Sequence, residues 1–386
     1  MIEPVLTMIP GPTPVHERIL GELSRPTVSH VAPVFLKEFR DCLQNLAQIV
    51  RTDSGQPFLV SGAGTLGMEM ALVNLLGRDR RLLVVSQGFF GDRFAQLAEA
   101  MGIEHELLQA EWGRAVDPEE LEHRLGAGSY GAVAMTHVDT STGAAAPVDE
   151  YCRLLAGRDE LAIVDGVCAT AGMDERFDEW GIDVLLTGAQ KALGAPPGLA
   201  ILVVSPRALE RRRASGDVRA YYADLLRWLP IMEDPRKYFS TPPVNQIRAL
   251  AEATRLILEE GLDERFLRHE ALARAMRAGL AAVDLMPITD PGRLADTLSV
   301  VRYPDGVEDA AFRRALAEQG VVVAPALGPI AGRACRIGHM GNIGAAEVTR
   351  LLQAVEESLR RLGRDVSAGS ALSAAAPHLA GLATGS

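Results

Sequence analysis

Short, unbroken apolar runs recur along the first half of the chain, and segments with helical periodicity separate them. Runs of about four or five residues, many of them β-branched, are typical of strands that helices cover on both faces. Such strands usually form a mostly parallel sheet, because parallel neighbours need a long crossover connection. We therefore predict an α/β fold. The predicted strands are residues 58–60, 82–85, 132–135, 161–164, 183–186 and 198–204.

The pattern changes near residue 245, where two long helical segments are followed by shorter strands and helices. This order indicates a second, smaller α+β domain. The predicted strands of that domain are residues 297–303, 321–323 and 335–337. We divide the 386 residues into an N-terminal arm (1–20), a large domain (21–255), a small C-terminal domain (256–365) and a flexible tail rich in Ala, Gly and Ser (366–386).

The overall charge argues against a nucleic-acid partner. The chain has 50 acidic and 39 basic side chains, a formal net charge of −11, whereas binding a phosphate backbone requires clustered Lys and Arg. The four cysteines are widely separated and form no C-x-x-C pair, so we expect no metal site. No apolar run approaches the ~18 residues of a membrane span. We expect a cytoplasmic protein without a membrane partner.

A glycine-rich motif follows the first predicted strand. Residues 62–67 read Gly-Ala-Gly-Thr-Leu-Gly, which matches the G-x-G-x-x-G fingerprint of dinucleotide-binding sites. That fingerprint also needs an acidic residue at the end of the second strand to bind the ribose, but residues 85–87 are Val-Ser-Gln. We therefore favour a site for a single phosphate at the N-terminus of the following helix. An NAD-dependent dehydrogenase is the alternative.

An acid and a lysine follow two later strands. Asp165 ends the predicted strand 161–164, and Lys191 lies 26 residues later in a loop rich in Gly and Pro. Together with an anion site, these residues suit pyridoxal phosphate, which needs an amine for its aldehyde, an acid for its ring nitrogen and donors for its phosphate. The acid keeps the ring nitrogen protonated, so that the ring can accept electrons from a substrate carbanion.

Seven motifs occur in a consistent order at residues 10–14, 60–65, 88–91, 136–143, 164–167, 188–198 and 336–341. In these motifs the chain resembles the class V aminotransferases of fold type I, and most closely the alanine–glyoxylate and serine–pyruvate aminotransferases. The lysine loop with Pro196-Pro197 is the most specific of them. The resemblance implies a large domain with a mostly parallel seven-stranded sheet, a smaller C-terminal α+β domain and a pyridoxal 5'-phosphate cofactor.

The resemblance also implies roles for individual residues. Lys191 is expected to form the internal aldimine and later to move the substrate's α-proton, and Asp165 to pair with the ring nitrogen. Val167 and Phe90 are expected to pack on the two ring faces. Further cofactor contacts are implied for Ala63, Gly64, Thr65, Thr140 and Gln190.

Other residues are implied to act on the substrate or across a subunit interface. Arg336 is expected to bind the substrate α-carboxylate through two parallel hydrogen bonds. Gly11 is expected to lie over the substrate, in an arm that keeps substrate side chains small. The active sites of this family lie between two subunits, so we expect a homodimer in which Tyr238 and Thr241 reach the partner's cofactor phosphate.

These expectations combine into a predicted activity. The chain would transfer the amino group of alanine or serine to glyoxylate or pyruvate in a ping-pong cycle. Ureidoglycine–glyoxylate and pyridoxamine–pyruvate transamination are alternatives with the same chemistry, and Ala63, which lacks the hydroxyl of a Ser, leaves the latter open. A non-catalytic subunit with the same fold is the alternative from another class.

Overall fold

The computed structural model describes residues 5–76 and 80–382. The first four residues of the expected arm and the last four of the expected tail lie outside the described residues. The strands are β1 (Leu6–Thr7), β2 (Gln56–Ser61), β3 (Leu82–Ser86), β4 (His105–Gln109), β5 (Ala132–Thr136), β6 (Val138–Asp139), β7 (Ala144–Ala145), β8 (Leu161–Asp165), β9 (Val184–Gly188), β10 (Leu199–Val204), β11 (Met286–Pro287), β12 (Leu298–Arg302), β13 (Val321–Val322), β14 (Ala324–Pro325) and β15 (Ala334–Gly338).

Helices connect and cover these strands. They are α1 (Glu17–Ser24), α2 (Pro33–Ile49), α3 (Gly64–Leu75), α4 (Phe89–Met101), α5 (Pro118–Ala127), α6 (Val148–Leu155), α7 (Phe177–Trp180), α8 (Pro206–Ala214), α9 (Leu225–Glu233), α10 (Val244–Glu260), α11 (Leu262–Ala281), α12 (Asp309–Ala317), α13 (Ala345–Arg361) and α14 (Ser370–Leu379). Among the described residues, no helix combines the length and the apolar composition needed to cross a lipid bilayer.

The predicted large sheet is confirmed. Within the described residues it has seven strands in the order β2-β10-β9-β8-β5-β3-β4. The strand β10 is antiparallel to both β2 and β9, and all other neighbouring strands pair in parallel. Helices and neighbouring strands cover the middle of the sheet, since every residue of β3, β5, β8, β9 and β10 is buried. The carboxyl ends of the parallel strands meet at one edge, which is where ligands bind in open α/β sheets.

The smaller α+β part is also confirmed. Its antiparallel sheet has the order β11-β12-β15-β14 and packs with α11 to α14. The N-terminal arm is attached to it, because β1 pairs in parallel with β13 and Met8 is buried in the same core. The arm then continues to the lysine loop, where the Thr13 N–H donates to the Gln190 carbonyl at 3.1 Å.

The expectation of a flexible tail at residues 366–386 is wrong for the central part of that segment. Residues 370–379 form α14, which packs on α11 and buries Ala371 and Ala375. The buried Glu356 accepts hydrogen bonds from the Gly369 and Ala371 N–H groups at 2.8 and 2.6 Å, so it fixes the start of the helix. Small side chains that suggested disorder instead allow two helices to approach closely.

Candidate active site

A cavity of about 150 Å³ opens at the carboxyl edge of the large sheet. Its walls come from the turns after β2, β8 and β9, from the start of α4 and from the β6 region, so the sheet order brings distant motifs together. The structure places nine of the predicted cofactor residues on this cavity. They are Ala63, Gly64, Thr65, Phe90, Thr140, Asp165, Val167, Gln190 and Lys191.

Four further lining residues were not predicted, namely Met68, Arg93, Val138 and Cys168. Val138 lies inside the motif 136–143 and Cys168 directly after the motif 164–167, so proximity to those motifs could have indicated them. Met68 and Arg93 lie one helical turn beyond the residues that begin α3 and α4, and helical spacing is the signal for such positions.

Lys191 projects a half-buried amine into the cavity from the loop after β9. Its Nζ donates a hydrogen bond to the Pro10 carbonyl, and the Thr13 hydroxyl donates to the Lys191 carbonyl at 2.9 Å. The arm therefore holds both ends of the residue. The chain has two other lysines, Lys37 and Lys237, and both are exposed and paired with acids on the surface.

Asp165 is a buried carboxylate at the carboxyl end of β8, with 3% of its surface exposed. Its Oδ1 accepts a hydrogen bond from the Val167 N–H at 2.9 Å. Burial raises the pKa of Asp165 to about 7, the charges of Asp139 and Glu175 act in the same direction, and the Val167 N–H and Lys191 oppose them. A cationic group bound against Asp165 would favour its ionised form.

The N-terminus of α3 forms the anion-binding end of the cavity. Ala63 is the N-cap, and no described side chain caps this helix, so the N–H groups of Gly64 and Thr65 in its first turn are available to a ligand. The helix dipole also favours negative charge there. Gly64 is required for packing, because an added Cβ would lie 2.9 Å from Val167 Cγ2.

Asp139 fixes the position of Phe90 and was missed as a functional residue. Its Oδ2 accepts hydrogen bonds from the Phe90 and Gly91 N–H groups at 2.9 and 3.0 Å, which caps α4. Its Oδ1 accepts from the Ser141 N–H and hydroxyl at 2.9 and 2.6 Å. Burial raises the pKa of Asp139, and these four hydrogen bonds oppose the shift.

Arg336 lies on β15 and is not among the residues that line the cavity, but it contacts one of them. Its Nε donates to the Pro325 carbonyl at 2.8 Å, and its Nη1 donates to the Thr140 carbonyl at 3.5 Å. Burial lowers the pKa of the guanidinium, while Cys168 and Asp139 oppose that shift. The Thr140 contact places this cation next to a residue that lines the cavity.

Tyr238 and Thr241 are not brought to the cavity of the same chain. Tyr238 is 66% exposed, and its hydroxyl lies 3.3 Å from Thr241 Oγ1 on the surface. Gly11 lies against Lys191, since an added Cβ would come within 2.5 Å of Lys191 Cδ and 2.7 Å of Nζ.

The donor set of the cavity fits pyridoxal phosphate. One space holds a primary amine (Lys191), a buried carboxylate (Asp165), an uncapped helix N-terminus (Gly64 and Thr65) and an aromatic ring (Phe90). These groups match the aldehyde, the ring nitrogen, the phosphate and the ring face of that cofactor.

Comparison with known proteins also indicates an enzyme that uses pyridoxal phosphate. The sequence profile of the family described as Aminotransferase class-V matches residues 14–351. The chain is 37% identical to an uncharacterized aminotransferase of Methanocaldococcus jannaschii, with 94% of each chain covered. It is 34% identical to alanine–glyoxylate aminotransferase 1 of Saccharomyces cerevisiae, covering 86% of this chain and 91% of the yeast protein.

Among solved structures, the ureidoglycine–glyoxylate aminotransferase of Bacillus subtilis has a TM-score of 0.94 and 30% identity, with 98% of both chains covered. The profile match spans most of the chain, and the relatives match over nearly their whole length. This chain therefore belongs to the class-V aminotransferases and is a pyridoxal-phosphate-dependent aminotransferase.

Proposed function

We propose that this aminotransferase moves the amino group of alanine or serine to glyoxylate or pyruvate, in ping-pong order. The proposal includes a cytoplasmic location and a homodimer with shared active sites, and the homodimer is an expectation from the sequence resemblance. The position of the arm over Lys191 is the single observation that supports a substrate with a small side chain.

The arm leaves little space beside the reacting amine. The Pro10 carbonyl accepts the hydrogen bond of Lys191 Nζ, and the Gly11 backbone is too close to Lys191 for a Cβ. Gly11 also has a φ of +113°, which glycine adopts without strain. Because backbone and not a rotatable side chain bounds this space, we expect only substrates with small side chains to fit.

The names of two relatives support a small acceptor. The yeast and Bacillus proteins are named for transamination with glyoxylate, which is the smallest 2-oxo acid. The amino donors in these two names differ, so the names support the proposed acceptor more strongly than the proposed donor.

Three side chains carry the proposed chemistry. Pyridoxal phosphate supplies an aldehyde for the amino group and a ring that withdraws electrons. Arg336 binds the substrate carboxylate and thereby orients the bond from the α-carbon to its hydrogen. Lys191 Nζ moves that proton, because its flexible side chain can reach both the substrate α-carbon and the cofactor atom that receives the proton. Asp165 stabilises positive charge at the ring nitrogen.

A screen of the two half-reactions tests the substrates. The cofactor-loaded protein is mixed with alanine, serine or aspartate, and the loss of its visible absorption band is followed. The aminated protein is then mixed with glyoxylate or pyruvate, and recovery of the band is followed. We expect alanine or serine to react fastest and glyoxylate or pyruvate to restore the band. Faster reaction with aspartate than with alanine or serine would contradict the proposal.

Arg336→Gln tests carboxylate binding in the same assay. Loss of a charge-assisted hydrogen-bonded pair is expected to raise KM for the amino acid by roughly tenfold to a hundredfold. The absorption band of the loaded protein should not change. An unchanged KM would mean that another group binds the carboxylate.

A further inference from the structure

Arg93 is a cation of the cavity that no sequence motif singled out. It lies one turn after Phe90 on α4, and its half-buried side chain lines the cavity. Its Cζ lies 4.7 Å from the centroid of the Phe90 ring and 5.3 Å from that of Phe89. Its Nη1 donates toward Thr65 Oγ1 at 3.5 Å. The guanidinium is therefore next to both the stacking ring and the first turn of α3.

No acid of the described residues neutralises this cation. Arg93 contacts two aromatic faces and one hydroxyl, and it makes no ion pair with the chain in the described ranges. The adjacent carboxylate, Asp92, is engaged elsewhere, since its Oδ1 accepts from Ser86 Oγ at 2.6 Å and from Gln109 Nε2 at 2.8 Å. A partly desolvated guanidinium with only neutral partners favours an anionic ligand.

We propose that Arg93 binds the cofactor phosphate and makes the site selective for the phosphorylated cofactor. This inference rests on the site proposed above. The N-terminus of α3 contributes N–H groups at Gly64 and Thr65, and the Thr65 hydroxyl lies beside the guanidinium. Arg93 adds a formal positive charge to this end of the cavity, and its planar fork can bind two phosphate oxygens. It also compensates for Ala63, which has no hydroxyl to offer.

A merely structural role would have a different signature. The same guanidinium packs over Phe90 and could act only by holding that ring in place. Phe90 would contact the ring of the cofactor whether or not a phosphate is attached. A phosphate contact, in contrast, affects only the phosphorylated form, so comparing two forms of the cofactor separates the roles.

The experiment measures dissociation constants of the cofactor-free protein for pyridoxal phosphate and for pyridoxal. We compare wild type, Arg93→Met and Arg93→Lys, with Arg153→Met as the control for loss of an exposed Arg. Arg93→Met is expected to weaken pyridoxal phosphate by roughly tenfold to a hundredfold, as for a hydrogen bond to a charged group, and to leave pyridoxal within about threefold. Arg93→Lys is expected to retain part of the affinity, and Arg153→Met all of it.

Equal weakening of both forms, or no weakening of either, would overturn the inference. If Arg93→Met does not fold, competition by inorganic phosphate is measured with Arg93→Lys. Phosphate should compete less well there than in wild type, because the two-pronged contact is lost, and equal competition would overturn the inference. If wild type binds neither form of the cofactor, the proposed function fails instead.

Discussion

At the scale of single residues, burial determines the proton affinity of Asp165. A carboxyl whose pKa is about 7 in the folded state and 3.8 when free binds more protons folded than unfolded between those values. Its favourable contribution is present below pH 3.8 and is lost as the pH rises through 7. The cofactor-free protein should therefore lose stability over this range because of Asp165.

The variant Asp165→Asn tests the direction of this pH dependence of stability. Asn keeps an oxygen for the Val167 N–H but does not ionise. Relative to wild type, the variant should gain about 2–4 kcal/mol of unfolding free energy between pH 4 and pH 8. Urea unfolding of the cofactor-free proteins at several pH values measures it. Parallel pH curves would show that burial does not perturb this carboxyl.

Gly11 is the residue through which the arm limits the space at Lys191. Gly11→Ala should displace Lys191 or the arm, because the new Cβ would lie 2.5 Å from Lys191 Cδ. We expect kcat/KM to fall on the order of a hundredfold, as for other small misplacements of a reacting group. Gly102→Ala is the matched control, since Gly102 also has a positive φ (+67°) but no neighbour within 4 Å. Equal activity of the two variants would refute the contact.

At the scale of elements, the buried strands were predictable and an edge strand was not. The strands β3, β5 and β8 each begin with a run of four apolar residues, and such runs indicate strands covered on both faces. The strand β4 reads His-Glu-Leu-Leu-Gln and is largely solvent-facing, because it lies at the edge of the sheet. Its polar sequence carries no comparable signal, and only pairing with β3 makes it a strand.

Composition also gives a wrong expectation of flexibility for the tail, for a related reason. Composition alone reports that residues 366–386 are rich in small side chains, but it does not report what they pack against. Gly279 of α11 has no room for a Cβ, which would lie 2.9 Å from the Ala371 carbonyl oxygen. Small residues on both helices thus permit a close contact. They give no pattern of large apolar residues, which is the sequence signal that usually predicts a buried helix.

Ala371→Leu tests the packing of α14. The larger side chain should overpack the contact with α11 and cost about 1–3 kcal/mol of unfolding free energy. Ala376→Leu, on the exposed face of the same helix, should change stability by no more than about 0.5 kcal/mol. Denaturant unfolding compares the two. If both variants match wild type, the tail is not part of the core.

Across the whole molecule, most of the site follows from motif order, and the rest depends on packing. Asp165 and Lys191 were predictable because the chemistry demands an acid and an amine after parallel strands. The glycine motif at 62–67 is misleading if taken alone, since family membership excludes the dehydrogenase alternative. Helical spacing indicates the position of Arg93, but the contacts of Arg93 and Asp139 were not predictable, because they join α4 to parts of the chain that are distant in sequence.

Tyr238 and Thr241 test the sharing of sites between subunits. Neither lines the cavity of its own chain, so Tyr238→Ala/Thr241→Ala and Lys191→Ala should each be impaired alone. Mixing them after reversible dissociation should restore about a quarter of wild-type activity, because half of the dimers are mixed and each has one intact site. No restoration, or an unimpaired double variant, would mean that each site is built from one chain.

The most direct test of the whole account is the identity of the lysine that reacts with the cofactor. The protein is loaded with pyridoxal phosphate, reduced with borohydride and digested, and its peptides are mapped by mass spectrometry. The chain has three lysines, at positions 37, 191 and 237, so the assignment is unambiguous. We predict a reduced adduct on Lys191 alone, and its loss when alanine or serine is added before reduction. An adduct on Lys37 or Lys237, or a Lys191 adduct that neither amino acid removes, would contradict the account.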